Sequence, residues 1–333
     1  MTPVRILVTG AAGFIGSHFV RGLLEGRYPQ LAGAEVTVLD KLTYAGTLTN
    51  LPDALSNPSL EFVHGDICDA DVVDGLVARS DAVVHFAAES HVDRSIIGAA
   101  AFVVTNVLGT QTLLEAALRH GVGPFVHVST DEVYGSIASG SWRETSPLEP
   151  NSPYSASKAS SDLLARAYAR THGLDVRITR CSNNYGPNQF PEKIIPVFVT
   201  NLLEGKKVPL YGDGLHVRDW LHVDDHCRGI SLVLAQGRAG EVYNIGGGTE
   251  LTNRELTERL LADMGADWSM VEQVPDRKGN DRRYSVDISK IRDELGYQPS
   301  VPFEQGLADT VQWYRDNRGW WEPLKQRAAP APA

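Results

Sequence analysis

Short apolar runs alternate along this chain with stretches in which apolar residues recur every three or four positions. The runs are Arg5–Thr9, Val36–Asp40, Leu60–Val63, Ala82–Ala87, Phe125–Ser129 and Val176–Arg180, and the stretches between them include Ile15–Leu24 and Val107–Arg119. A short apolar run reads as a buried strand, and three-to-four spacing reads as a helix with one apolar face. Strand–helix alternation predicts an α/β fold: a Rossmann-like, doubly wound parallel sheet with helices on both faces. Most runs are continuously apolar rather than alternating, so both faces of the sheet are expected to be covered.

Beyond Cys181 the rhythm breaks. Pro187, Pro191, Pro196 and Pro209, with Gly205, Gly212 and Gly214, interrupt regular structure. A further strand-like run, Glu241–Ile245, leads into Gly246-Gly247-Gly248, and another helical segment follows Asn253. Val311, Trp313, Trp320 and Trp321 are expected in the core or at a docking face. The chain thus divides into a main domain over residues 1–182, with a contribution from about 215–245, and a smaller irregular lobe over 183–327. The Ala/Pro tail 328–333 is expected to be disordered. The cleft between the lobes is the default binding site.

Composition narrows the function. The chain has 333 residues and a formal net charge of -10. An acidic surface of this kind argues against nucleic acid as a partner. No run is read as the ~20 apolar residues of a membrane span, and the start lacks the basic-then-apolar layout of a signal peptide. Cys68, Cys181 and Cys227 are widely scattered, with neither metal-type spacing nor a disulfide framework. A reducing cytoplasm is therefore expected. His85, His91 and His127 read as core or loop residues rather than metal ligands. Any anionic ligand would need local donors against the acidic field.

Gly10, Gly13 and Gly16 follow the first strand and open the first helix. Gly10 allows a tight turn, Gly13 lets backbone approach a pyrophosphate, and Gly16 lets helix pack on strand. The helix N-terminus supplies free N–H groups for phosphate. A structural strand–helix turn can look similar, so context matters. Asp40 ends the second strand, about 20 residues further on, where an acidic residue would bind the adenosine ribose hydroxyls. A carboxylate there repels a 2′-phosphate and favours NAD over NADP; the adjacent Lys41 pulls the other way. An ordinary turn aspartate is the alternative.

Tyr154 and Lys158 stand four apart on a predicted helix, on one face. The ammonium is expected to favour the tyrosinate and bring a phenol of pKa ~10 towards working pH. A phenolate can take a hydroxyl proton while hydride leaves for a nicotinamide. Y-x-x-x-K alone is common on helix surfaces. Here Ser129-Thr130-Asp131-Glu132-Val133-Tyr134-Gly135 lies upstream, at a strand end where ligands bind in such sheets. Thr130 can share the substrate hydrogen bond with Tyr154. Asp131 and Glu132 can divide into an acid and a base, or simply cap a helix.

Taken together, these segments resemble the extended short-chain dehydrogenase/reductase family, and within it the dTDP-glucose 4,6-dehydratases. The matching stretches span most of the chain. They include Asp40-Lys41-Leu42-Thr43-Tyr44-Ala45-Gly46, Gly65-Asp66-Ile67, Phe86–Ser95, Pro153–Lys158, Asn183–Pro187, Pro191-Glu192-Lys193, Pro209–Gly214, Arg218-Asp219-Trp220 and Asp276–Gly279. The Ala87–Ser95 and Thr130–Gly135 stretches are the specific ones; the glycine loop and the Tyr/Lys pair mark only the wider family.

The resemblance implies a hydro-lyase that carries tightly bound NAD and regenerates it each turnover. Tyr154, with Lys158 and Thr130, takes the C4 hydroxyl proton as hydride leaves C4. Glu132 removes the C5 proton, Asp131 protonates the departing C6 hydroxyl, and hydride returns to C6. Besides Gly10, Gly13 and Gly16, cofactor contacts would fall on Phe14, Ile15, Asp40, Lys41, Thr43, Asp66, Ile67, Phe86, Ala87, Ala88, Ser90, Thr105, Tyr154, Lys158 and Asn184. Substrate contacts would fall on Ser90, Thr130, Asp131, Glu132, Asn183, Lys193, Ile194, Pro209, Tyr211, Arg218, Asn253, Arg277 and Asn280. Lys193, Arg218 and Arg277 would answer the acidic field. Two departures stand out. The loop reads Gly-Ala-Ala-Gly where the family often has Gly-Gly-Ala-Gly, and Asn280 stands where it often has histidine. Either can alter affinity rather than the chemical step.

The resemblance also implies a homodimer in which Val107–Arg119 and Tyr154–Ala169 form a four-helix bundle, with Ala156, Ala159 and Ser160 permitting close approach. Three other readings remain. A sugar-nucleotide 4-epimerase would use the Thr/Tyr/Lys set and have no use for Asp131 and Glu132. A dehydratase of another nucleotide-hexose would differ in the substrate lobe. A non-catalytic NAD sensor would need none of these side chains.

Overall fold

The computed structural model describes residues 4–328. Six strands form in the order that the apolar runs predict: β1 (Arg5–Thr9), β2 (Glu35–Asp40), β3 (Leu60–His64), β4 (Ala82–His85), β5 (Phe125–Thr130) and β6 (Val176–Cys181). The remaining strands are β7 (Asn183–Tyr185), β8 (Val208–Tyr211), β9 (Val217–His222), β10 (Val242–Ile245), β11 (Glu250–Thr252) and β12 (Val271–Val274). Seven of them build one sheet in the order β10-β6-β5-β4-β1-β2-β3, and every pairing in it is parallel. The order reverses between β1 and β4, and in open α/β sheets ligands bind beyond the strand ends at such a switch.

The β4 run ends at His85, short of the expected Ala87. A Cβ on Gly10 would lie 2.5 Å from the Ala87 nitrogen. The chain at Phe86–Ala87 has already left the sheet to lie against the glycine turn.

Apolar clusters cover both faces. One packs Phe19, Val20 and Ile230 against Val8, Val38 and Val126; the other packs Leu113, Leu114 and Leu76 against Leu7, Val83 and Phe125. A third core serves the C-terminal lobe, where Trp321, Val311 and Tyr314 are buried with Phe198 and Leu256, and Trp313 and Trp320 pack against them. Above it lie a three-stranded sheet, β11-β9-β7, and a β12-β8 pair.

The helix expected at Val107–Arg119 is longer and continuous from Ala100 to His120, at 21 residues. Its stretch Val103–Gly109 is wound as a π-helix. By length and composition it is apolar enough to cross a membrane, which corrects the expectation that no run reaches that length; 44% of its apolar window is buried inside the subunit. Ala328 closes the last helix, Arg318–Ala328. The rest of the tail expected to be disordered lies outside the described residues.

Candidate active site

Beyond the carboxyl ends of β1 and β4–β6 the chain encloses a cavity of about 620 Å³, and a second of about 220 Å³ opens in the C-terminal lobe. Glu132, Asn183, Asn184, Gln189, Glu192 and Lys193 line both, so the two meet at those side chains. Every residue expected to contact the cofactor lines the larger cavity. Of those expected to contact substrate, Ser90, Thr130 and Asp131 line the larger cavity, Glu132, Asn183 and Lys193 line both, and the others line the smaller.

The glycine loop is shaped for a dinucleotide. Gly10 has φ +73 and Gly16 would bring a Cβ to 2.6 Å from the Gly10 carbonyl oxygen, so both are required by the protein itself. Gly13 is different: the one atom near a Cβ there is that same oxygen, at 3.2 Å. Gly13 caps the helix Phe14–Leu24 with no side-chain hydrogen bond and no acidic residue in the first turn. The first N–H groups therefore stay available to a phosphate. Asp40 accepts from the Ala12 N–H at 2.9 Å and the Leu42 N–H at 2.8 Å. It is thus a turn aspartate that also borders the cavity, and its carboxylate keeps further lone pairs for ribose hydroxyls. Lys41 donates to Asp66 at 2.6 Å. That pairing takes the cation that would otherwise welcome a 2′-phosphate, so the loop suits NAD.

The catalytic candidates meet at the cavity junction. Ser152 caps the helix Pro153–His172 through a reciprocal bond with Ser155, with Pro153 at its first position, and this fixes Tyr154 and Lys158 on the inner face. The Lys158 ammonium donates to the Val128 carbonyl at 2.8 Å. Burial pulls its pKa down to about 8, against the pull of Asp162. Burial, and next the Glu132 carboxylate, push the Tyr154 phenol well above its ordinary value. The downward shift expected of Tyr154 beside Lys158 is therefore not found, because burial and the Glu132 carboxylate outweigh it.

Thr130 caps the short turn Asp131–Tyr134 by accepting from the Glu132 N–H, so the capping alternative holds for the threonine. It does not hold for the two acids. Asp131 is 2% exposed; one carboxyl oxygen accepts from Thr130 at 3.3 Å and the other has no protein partner. Burial, then Glu132 and Asp219, push Asp131 well above the usual carboxyl range. Burial also raises Glu132, but Lys193, Arg218 and Arg277 draw it back. The two adjacent carboxyls thus sit in different electrostatic surroundings, the condition under which an acid and a base can separate.

The three cations collect at the smaller cavity. Lys193 donates to the Ser90 carbonyl at 2.9 Å. Arg277 lies 5.4 Å over the Tyr211 ring and 3.7 Å from Asp93. Arg218 lies 4.3 Å over the Tyr284 ring. An acidic protein thus carries a local basic pocket suited to a diphosphate.

Glu192 joins the site with no sequence signal of its own beyond the Pro191-Glu192-Lys193 segment. Its side chain accepts from the Tyr44 hydroxyl at 3.0 Å and lies 3.5 Å from Arg94. Its burial between loops distant in sequence leaves no local signal. His85 and His127 are fully buried, His85 between the Thr9 and Thr110 hydroxyls.

Residues 7–310 match the family model described as GDP-mannose 4,6 dehydratase. The chain belongs to this family of extended short-chain dehydrogenases. It is 68% identical over 330 residues to a dTDP-glucose 4,6-dehydratase of Streptomyces antibioticus, covering 98% of this chain and 97% of that protein. The fold matches the crystal structure of a dTDP-glucose 4,6-dehydratase from Streptomyces venezuelae with NAD bound, at TM-score 0.95 and 69% identity, over 96% of this chain and 100% of that one. A UDP-glucose 4-epimerase of Thermotoga maritima is also similar, at TM-score 0.87 and 35% identity, over 95% and 100%. The scaffold is therefore shared with epimerases, and the side chains must discriminate.

Proposed function

We propose that this chain dehydrates dTDP-glucose to dTDP-4-keto-6-deoxyglucose, with NAD held throughout the cycle. The observation that carries this reading is the Asp131–Glu132 pair beside Tyr154 and Lys158 where the two cavities meet. An epimerase would have no work for those acids. When bound, NAD accepts hydride from C4 and returns it to C6. Tyr154 takes the C4 hydroxyl proton, with Thr130 as hydrogen-bond partner and Lys158 as the nearby cation. The new 4-keto group acidifies C5; Glu132 removes that proton and, after exchange with solvent, returns one to C5 as hydride reaches C6. Asp131 delivers its proton to the departing C6 hydroxyl. Lys193, Arg218 and Arg277 hold the diphosphate.

Incubating the purified protein with dTDP-glucose in deuterated water tests this directly. The expected product has lost water and carries one deuterium at C5. An epimerised sugar that keeps its water would overturn the reading.

We also propose the homodimer. The helices Ala100–His120 and Pro153–His172 leave Val103, Leu108 and Leu163 exposed, whereas Val104 lines the larger cavity. Ala156 and Ser160 are exposed, as is Leu163, and so are available to such a bundle, but Ala159 is buried beside Val133 and Tyr134. Sedimentation should give a dimer for the native chain and a monomer for Leu163→Glu; a native monomer would overturn the proposal. The three cysteines are free, which suits a reducing cytoplasm.

A further inference from the structure

Arg218 lines the smaller cavity from β9, and its guanidinium is held by one bond within its own strand and one to a side chain from outside it. Its Nη1 donates to the Val217 carbonyl at 2.8 Å, and its Nη2 donates to the Asn280 side-chain oxygen at 3.1 Å. The Tyr284 ring supports its flat face. Asn280 is itself held: its amide nitrogen donates to Asp276 at 2.8 Å. Asp276 also accepts from the Arg277 N–H at 2.9 Å and lies 3.3 Å from the His216 ring nitrogen. Both ends of the Asn280 amide are thus engaged within the protein.

We propose that Asn280 is a positioning residue: it aims the Arg218 guanidinium into the smaller cavity, with Asp276 fixing the amide from behind. This rests on the proposed dTDP-sugar reading. Arg218 has five N–H donors in a rigid fork. Two are spent on Val217 and Asn280; Arg218 lines the smaller cavity, so the remaining donors can serve a diphosphate bound there. An arginine held this way loses less freedom on binding than a free one. The amide suits this role because it is uncharged. A carboxylate at position 280 would also bond Arg218, but it would neutralise the guanidinium and face Asp276 as a like charge.

The test is a double-substitution cycle read by calorimetric binding of dTDP to the full-length holoenzyme. Asn280→Ala should weaken dTDP binding by about tenfold. The same substitution made on Arg218→Ala should change binding less than about twofold, because the interaction it supports is already gone. Thermal melting should stay that of the native protein, since the Asn280 loop lies outside the apolar cores. Additive losses would mean that Asn280 touches the ligand itself and would overturn the positioning role. Unchanged binding in Asn280→Ala would overturn it as well. Failure of the native protein to bind dTDP would instead remove the functional reading beneath it.

Discussion

Glu132→Gln should stop the enzyme after oxidation, with turnover of dTDP-glucose falling by about 10²–10⁴. Glutamine keeps the size and the hydrogen bonding of the side chain but cannot take a proton from C5. The 4-keto sugar and the reduced cofactor should then accumulate on the protein, visible as the near-ultraviolet band of reduced nicotinamide. The distinction between the two acids is structural. Burial raises Glu132, but it borders both cavities within the field of Lys193, Arg218 and Arg277, which oppose that rise. Asp131 lies deeper, and burial, then the Glu132 carboxylate, push it well above the usual carboxyl range. Asp131→Asn should slow the same step less, because an amide still donates a hydrogen bond to the leaving oxygen. A Glu132→Gln protein that forms no reduced cofactor would place Glu132 in the oxidation step and overturn the assignment.

The main sheet was legible because its determinants are local. A continuous apolar run needs only its own residues to read as a doubly covered strand, and the glycine spacing reflects the steric demands of one turn. The C-terminal lobe was opaque for the opposite reason. β9 pairs with β7 through Asn183 and Trp220, and with β11 through Arg218 and Leu251. These are short strands, so no period develops. Glu192 escaped notice because its partners Tyr44 and Arg94 come from two other loops. The Tyr154–Lys158 pair shows a further limit. Spacing places two side chains on one face, but it does not say that the ammonium bonds to the Val128 carbonyl. Burial, and for Tyr154 next the Glu132 carboxylate, set how the two groups titrate, and neither is visible in the spacing.

Lys158→Met should lower the rate of dTDP-glucose oxidation by about 10²–10⁴ and change how it depends on pH. In the native protein Lys158 titrates at about 8, below Tyr154. When one proton leaves the pair it comes mostly from the ammonium, and the phenolate–ammonium form is a minor share of that state. The oxidation rate should therefore rise with pH up to about 8 and then level. Positive charge on bound oxidised nicotinamide moves this limb lower, not higher. With methionine at 158, deprotonation must come from Tyr154 alone, and the rate should keep rising above pH 8. Single-turnover oxidation followed in the near ultraviolet across the pH range checks this, and an unchanged limb in Lys158→Met would overturn it. Stability separates the effect from misfolding. An unfolded Lys158 returns to about 10.5, so between 8 and 10.5 the unfolded chain binds more protons and the native fold gains stability as pH rises. Below about 8 the buried ammonium imposes its full cost. Lys158→Met should thus melt at the same or a higher temperature at neutral pH while oxidising its substrate far more slowly.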